Sequence, residues 1–191
     1  MSAKTIVKRL AKRTLATVII IVLLLLGGDY AVKRIATYIF PQKYSEYVEK
    51  YANEYNVDKN LCYAIIRCES NFEPDAVSTA GAKGLMQMTD ETFSFITSKL
   101  YDYKVDLSYI YNPETNIQCG VWYISYLKGK FITDSEVIAA YNAGPNKVSD
   151  WLADQKYSTD GITLNSLPYT ETEKYIKRVL RAKECYQKLY S

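Results

Sequence analysis

Apolar residues recur at intervals of three and four along most of this chain, and the alternation typical of strands is weak. In the segment 58–69, Leu61, Ile65 and Glu69 fall on one stripe, and Asp58 is suited to cap the helix. The same spacing predicts further helices over 44–55, from Thr89 or Asp90 to Leu100, over 113–127, from Asp134 or Ser135 to Gly144, and from Thr170 onward. The pattern therefore predicts a mainly helical fold.

Proline and glycine mark where these helices begin and end. Asn112-Pro113 is a favoured helix start, because Pro lacks an N–H that the first turn leaves unbonded anyway. Gly144-Pro145 is a stop signal for the preceding helix. The segment from Ser149 to Ser166 is polar, and we expect a loop there. Pro41 breaks the helical pattern and separates the N-terminal segment from the rest of the chain.

An uncharged run rich in Leu, Ile and Val extends from Thr14 to Gly28. It follows a basic flank made of Lys4, Lys8, Arg9, Lys12 and Arg13. We expect an uncleaved transmembrane signal-anchor, with the basic flank in the cytoplasm and the folded domain outside it. The run has 15 residues, which is short for a spanning helix of roughly 17–25, so a cleaved signal peptide is the alternative. The expected organisation is a tail, a transmembrane helix and a juxtamembrane segment over 1–40, and one domain over 41–191.

Charge is unevenly distributed along the chain. The formal net charge is +3, but residues 1–34 carry seven Lys or Arg and one Asp, so the remainder has a net charge of −3. Because the positive excess lies beside the apolar run, it gives no support to nucleic-acid binding. The chain has no His, which excludes His-based triads, imidazole bases and most catalytic zinc sites. No cofactor is expected, because no Gly-rich phosphate loop or dinucleotide fingerprint occurs.

The four cysteines, Cys62, Cys68, Cys119 and Cys185, would lie in a compartment that permits disulfides. Cys62 and Cys68 are six positions apart on one predicted helix and point to different faces, so we do not expect them to pair. A bond between Cys68 and Cys119 and a set of four buried free thiols both stay open. No metal site is expected without a Cys-x-x-Cys motif or a His.

Glu69 is the candidate catalytic residue, because it lies on the apolar stripe in the last turn of its predicted helix. The partial negative charge at a helix C-terminus disfavours a second negative charge there. Burial also disfavours the ionised form. Both effects raise the pKa of a carboxyl, as a general acid near neutral pH requires. For this residue taken alone, a solvated Glu at a frayed helix end is the alternative.

Three sequence blocks resemble those of the lytic transglycosylase (SLT) family. The first is ESNF at Glu69–Phe72 with GAKGLMQ at Gly81–Gln87, the second is AYNAGP at Ala140–Pro145, and the third is P-x-x-E-T-x-x-Y at Pro168–Tyr175. They occur in the family's order, and the resemblance extends over residues 44–190. It implies a lysozyme-like helical domain that acts on peptidoglycan glycan strands. Known members cleave the β-1,4 bond between N-acetylmuramic acid and N-acetylglucosamine.

The resemblance also implies a single carboxylate that acts first as acid and then as base, and Glu69 matches it. The 6-hydroxyl of muramic acid would attack C1 and close a 1,6-anhydro ring, so that no water is consumed. The positions that match substrate-binding residues are Ser70, Ser78, Met86, Gln87, Tyr141, Asn142 and Tyr175. The hydroxyl of Tyr175 is expected to point towards Glu69. Loop capping by the two serines and core filling by Met86 are the alternatives.

Two features of the blocks bear on this interpretation. Many members have an acidic residue three positions before the Pro of the third block, where this chain has Asn165. Ordinary glycoside hydrolases need a second carboxylate, and the blocks offer no obvious one, since we expect Glu171 to stabilise the N-terminus of its helix. The alternative functions are a hydrolase of the same bond, as in goose-type lysozymes, and a noncatalytic peptidoglycan-binding module.

Overall fold

The computed structural model describes residues 27–28 and 30–190 of the chain. The predicted transmembrane run, Thr14–Gly28, lies outside the described residues except for its last two. Within the described ranges, no helix is both long enough and apolar enough to cross a membrane. The chain divides into two compact units, Met1–Pro41 and Gln42–Ser191. In the described part of the first unit, residues 30–39 are helical.

The second unit is built from helices, which confirms the prediction of a mainly helical fold. They are α1 (Ser45–Glu54), α2 (Lys59–Ser70), α3 (Asp90–Leu100), a 3-10 helix (Leu107–Tyr111), α4 (Pro113–Lys128), α5 (Asp134–Ala143), α6 (Pro145–Ala153) and α7 (Thr170–Tyr190). The predicted caps are present at two of them: the side chain of Asp58 accepts from Asn60 N–H at the start of α2, and that of Asn112 accepts from Thr115 N–H at the start of α4.

Helix α6 corrects the prediction of a loop from Ser149 to Ser166. Gly144, at φ 92° and ψ 143°, ends α5, and Pro145 then occupies the first turn of a new helix. Val148 and Trp151 are buried, so the polar residues between them belong to the solvent-facing side of an amphipathic helix. From residue 154 to residue 169 the chain runs through turns and bends, as expected.

Helix α2 lies at the centre of the core of the second unit. Its residues Leu61 and Ile65 are fully buried, and the long helix α7 packs along it. The ring of Tyr186 on α7 stacks on that of Tyr63 on α2, with ring centres 5.3 Å apart. Each fully buried aliphatic side chain contributes about 1.5–3 kcal/mol relative to exposure. This packing fixes the end of α2, where Glu69 lies, relative to α7.

The loop after α2 is held against α4 by one buried amide. Asn71 ends α2 in the left-handed conformation, with φ 51°. Further along, the amide oxygen of Asn116 accepts from Met86 N–H at 2.8 Å, and its nitrogen donates to the carbonyl of Ile110 at 2.6 Å. Gly84 passes so close that a Cβ there would lie 2.2 Å from Asn116 Nδ2. Glycine, which has no Cβ, is therefore required at this point of the loop.

All four cysteines are free thiols. Cys62 and Cys119 are buried, whereas Cys68 and Cys185 are half-buried. The structure therefore has no bond between Cys68 and Cys119. It agrees with the free-thiol alternative, although only two of the four side chains are buried.

Candidate active site

A cleft of about 880 Å³ opens between the loop that follows α2, the end of α5 and the start of α7. Five of the predicted site residues line it, namely Glu69, Ser78, Gln87, Tyr141 and Asn142. Other lining residues include Thr89, Thr92, Tyr123, Lys147, Tyr169, Glu171 and Thr172. The three sequence blocks, which lie far apart in the chain, thus meet around one cavity.

Glu69 is half-buried in this cleft, on the last turn of α2. The protein atoms around it displace water, and this burial raises the pKa of its carboxyl to about 7. A hydrogen bond from Tyr175 and the positive charge of Arg178 oppose the rise. Near neutral pH the carboxyl therefore exchanges readily between its acid and base forms, as the sequence predicted.

Tyr175 lies on α7, and its hydroxyl donates a hydrogen bond to Oε1 of Glu69. This confirms the predicted direction of the hydroxyl. Burial and the nearby Glu69 raise the pKa of Tyr175 well above its ordinary value, so it stays a donor. Its side chain is buried and does not line the cleft. Tyr175 therefore contacts the carboxyl itself and orients it.

Tyr141 and Asn142 lie at the end of α5. The hydroxyl of Tyr141 donates to the carbonyl of Met86 at 2.7 Å, which leaves its half-buried ring on the cleft wall. The amide oxygen of Asn142 accepts from Thr172 Oγ1 at 3.0 Å. Asn142 is exposed, so its amide N–H groups are left facing the cleft as donors for a ligand.

Ser78 and Gln87 line the cleft and also hold its loop together. Ser78 Oγ accepts from Ala82 N–H at 3.0 Å, which is the loop-capping role considered as an alternative. Its own O–H is left to donate into the cleft. The amide nitrogen of Gln87 donates to the carbonyls of Ala76 and Gly84, at 3.0 and 2.9 Å. The amide oxygen of Gln87 is therefore its group for a ligand.

Ser70 and Met86 are not among the residues that line the cleft. Ser70 Oγ donates to the carbonyl of Leu85 at 2.8 Å and accepts from Phe72 N–H at 3.1 Å, so it ties the end of α2 to the loop. Met86 is fully buried, and a Cβ at Gly120 would lie 2.2 Å from its sulfur. The structure agrees with core filling by Met86.

Sequence reasoning missed Arg178. Its guanidinium carbon lies 5.5 Å from the centre of the Tyr175 ring, and its charge lowers the pKa of Glu69. The signal was present, because Arg178 follows Tyr175 by three positions and therefore shares its side of α7. The pairing with Glu69, by contrast, depends on how α7 packs against α2.

Asn165 lies at the position where many members of the resembled family have an acidic residue, and it stabilises the turns that lead to the cleft. Its amide oxygen accepts from the N–H and the hydroxyl of Thr159, at 2.9 and 3.0 Å. Buried Glu136 accepts from the N–H of Leu164 at 2.9 Å and supports the same segment. Among residues 27–28 and 30–190, no group of three or more His, Cys, Asp or Glu is placed to hold a metal ion.

The comparisons with known proteins agree on one family. Residues 46–163 match the family model described as the transglycosylase SLT domain. The soluble lytic murein transglycosylase of Salmonella typhimurium is 34% identical over 146 residues, which is 74% of this chain and 22% of that protein. The membrane-bound lytic murein transglycosylase C of Actinobacillus pleuropneumoniae is 32% identical over 180 residues, covering 82% of this chain and 49% of that protein.

Solved structures have the same fold. The 70 kDa soluble lytic transglycosylase of Escherichia coli superposes with a TM-score of 0.69 at 29% identity, over 78% of this chain and 25% of that one. An inactive mutant of the lytic transglycosylase Slt from Pseudomonas aeruginosa gives a TM-score of 0.67 at 30% identity, with the same coverage. These neighbours confirm the mainly helical, lysozyme-like fold. The chain spans about a fifth of the length of the soluble relative from Salmonella.

Proposed function

This chain belongs to the transglycosylase SLT family, and on that premise we propose that it is a lytic transglycosylase of peptidoglycan. It cleaves the β-1,4 bond between N-acetylmuramic acid and N-acetylglucosamine without water and leaves 1,6-anhydro-N-acetylmuramic acid ends. The observation that carries the proposal is the carboxyl of Glu69, which lies in an open cleft with a pKa of about 7 and a hydrogen bond from Tyr175.

In the first step, protonated Glu69 donates its proton to the glycosidic oxygen, and the bond from that oxygen to C1 of muramic acid breaks. Positive charge develops at C1, and the acetamido group of the same sugar stabilises it. The N-acetylglucosamine leaves with its hydroxyl restored. Glu69 is then a carboxylate, held in place by the hydroxyl of Tyr175 and by the charge of Arg178.

In the second step, the Glu69 carboxylate takes the proton of the C6 hydroxyl, whose oxygen attacks C1 and closes the anhydro ring. Glu69 is protonated again, so one turnover consumes no water and no net proton. A single carboxyl suffices for both steps only if its two forms are close in free energy, as a pKa of about 7 provides near neutral pH.

Hydrolysis of the same bond is the second candidate, because Glu171 also lines the cleft. In a hydrolase it would supply the second carboxylate that activates water or attacks C1. In our proposal Glu171 stabilises the first turn of α7, where it lies. A noncatalytic binding module is the third candidate, but it would have no use for a carboxyl with a raised pKa.

Mass spectrometry of digested peptidoglycan tests all three. We expect muropeptides about 18 mass units lighter than hydrolysis products, since no water is added. Glu171→Gln should still form the lighter products, whereas Glu69→Gln should form none. Products with reducing ends that disappear in Glu171→Gln would establish the hydrolase, and intact peptidoglycan with the wild-type protein would establish the binding module.

We also propose that residues 1–40 anchor the protein as a single-pass membrane protein, with the catalytic domain of residues 41–191 on the extracytoplasmic side. The support is the basic flank before Thr14 and the uncharged run that follows it. A relative named as membrane-bound, lytic murein transglycosylase C, is consistent with membrane association. A tethered enzyme reaches only the peptidoglycan near its membrane, which limits cleavage to local openings of the wall.

A further inference from the structure

Three rings pack against one another on the surface between α3 and α4 and form a cluster that we call the aromatic ridge: Phe95, Trp122 and Tyr126. Trp122 and Tyr126 are nearly parallel, with ring centres 5.5 Å apart at 11°. Phe95 meets both of them edge-on, with centres 6.3 and 5.7 Å away. The ridge is part of neither the core nor the catalytic machinery described above.

The ridge continues directly from the cleft. Thr92 on α3 and Tyr123 on α4 line the cleft, and Phe95 and Tyr126 follow them by three positions. Residues three apart share a helix face, so on each helix the ridge residue lies about one turn beyond the residue that lines the cleft. The ring of Tyr123 lies 5.7 Å from that of Tyr141 inside the cleft and 6.1 Å from that of Tyr126 on the ridge.

The ridge is accessible and carries positive charge on its flanks. Phe95 is 37% exposed, and Trp122 and Tyr126 are half-buried. The ammonium of Lys99 lies 5.9 Å from the centre of the Phe95 ring, and that of Lys130 lies 5.1 Å from the Tyr126 ring. Within the described part of the chain, neither ammonium forms an ion pair with a carboxylate.

We propose that the aromatic ridge binds the part of the peptidoglycan strand that extends beyond the cleft. This inference rests on the proposed function. Sugar rings present apolar C–H faces that pack on aromatic rings, and aromatic side chains supply rigid contact area for such a ligand. Lys99 and Lys130 would meet the carboxylates of the peptide stems. The ridge then favours long strands over short ones, because only a long strand occupies cleft and ridge together.

Fluorescence gives a test that does not depend on turnover. The chain has two tryptophans, and Trp151→Phe leaves Trp122 as the reporter on the ridge. In a Glu69→Gln background, which prevents cleavage, a long peptidoglycan strand should change the Trp122 emission, and a tetrasaccharide that fills only the cleft should not. An unchanged emission with a bound long strand, shown by co-sedimentation, would overturn the ridge proposal.

Kinetics give the second test, with variants that leave the catalytic carboxyl in place. In Phe95→Ala and in Lys130→Ala, the ratio of kcat/KM for long strands to kcat/KM for a tetrasaccharide should fall, by about five- to tenfold for the ring. Tyr109→Ala removes an aromatic that is 54% exposed outside the ridge, and it should keep the wild-type ratio. Thermal melting checks that each variant is folded.

These outcomes separate the two proposals. Wild-type ratios in both ridge variants, with normal cleavage of peptidoglycan, would overturn the ridge and leave the enzyme assignment intact. A wild-type protein that neither binds nor cleaves any glycan would overturn the proposed function, and the ridge with it.

Discussion

The hydroxyl of Tyr175 donates a hydrogen bond to the carboxylate of Glu69 and so joins α7 to the end of α2. Three influences therefore set the pKa of Glu69. Burial raises it, while the bond from Tyr175 and the charge of Arg178 lower it. The result, a pKa of about 7, lies between the value for a solvated carboxyl and that for a fully desolvated one. The hydrogen bond and the charge can each be removed by one substitution, and the direction of each effect on the pKa follows.

Glu69→Gln should abolish nearly all lysis of peptidoglycan, with a loss of at least about a hundredfold, because the amide cannot donate a proton to the leaving oxygen. Turbidity loss of purified peptidoglycan measures the rate. A folded Gln variant that keeps half of the wild-type rate would contradict the assignment.

The same substitution should change the pH dependence of stability. The folded-state pKa of Glu69 is raised from 4.5 to about 7, so its contribution is complete below the unfolded value and is lost as pH rises through the folded one. Glu69→Gln removes this dependence. Its melting temperature relative to wild type should therefore be higher at pH 8 than at pH 4, and equal differences at both pH values would show that the carboxyl is not shifted.

Tyr175→Phe should raise the pKa of Glu69, because the carboxylate loses a hydrogen bond that favours its charged form. The high-pH limb of the kcat/KM profile, where the acid form of Glu69 is lost, should shift to higher pH. At neutral pH we expect activity to fall about ten- to a hundredfold, since the carboxyl is no longer oriented. A pH–rate profile measures both effects, and an unshifted limb would argue against the hydrogen bond.

Arg178→Met should also shift the high-pH limb of the pH–rate profile to higher pH. A nearby positive charge lowers the pKa of a carboxyl, so removing that charge raises the pKa of Glu69. Arg178→Lys keeps the charge and is the matched control. Tyr141, Tyr175 and Cys68 lie around the carboxyl and have raised pKa values, so they stay neutral near pH 7. Their titration therefore does not overlap with that of Glu69 in the pH–rate profile. Identical profiles for the Met and Lys variants would exclude a role for the charge.

Gly84→Ala should destabilise the domain by at least about 2 kcal/mol more than Gly81→Ala. Both glycines have positive φ, +78° and +81°, so the backbone strain is similar. At Gly84 the new Cβ would lie 2.2 Å from Asn116 Nδ2 and 2.5 Å from the Ile110 carbonyl oxygen, whereas nothing lies within 4 Å at Gly81. Urea unfolding of the two variants measures the difference, and equal losses would show that Asn116 can move aside.

The full-length chain should fractionate with membranes, and its residues 41–191 should be accessible to protease from outside the cell. A chain that begins after residue 40 should stay soluble and cleave peptidoglycan, because Glu69, Tyr141 and Tyr175 all belong to the second compact unit. Recovery of a soluble natural form that begins near Tyr30 would instead show a cleaved signal peptide. If the truncated chain failed to fold, the catalytic domain would have to begin before residue 41.

Local sequence patterns were sufficient to predict six of the seven α-helices of the second unit and the position of Glu69 near the end of α2. The period of 3.6 residues places Leu61, Ile65 and Glu69 on one face, whatever that face packs against. The three blocks around Glu69, Tyr141 and Tyr175 likewise contain most of the residues that line the cleft, although only five of the lining residues were named as site residues. Helix α6 was missed because Gly144-Pro145 can end one helix and start the next, and only the burial of Trp151 distinguishes the two cases.

The tertiary structure alone decided which side chains face the cleft. Met86 is buried because Gly120, on α4, leaves room for its sulfur, and no pattern within the loop that holds Met86 reveals that space. Arg178 acts on Glu69 because α7 packs along α2, which brings together residues more than a hundred positions apart in the chain. Local spacing determines the face of a helix on which a residue lies. The packing of distant helices determines what that face meets, and with it the charge state of the catalytic carboxyl.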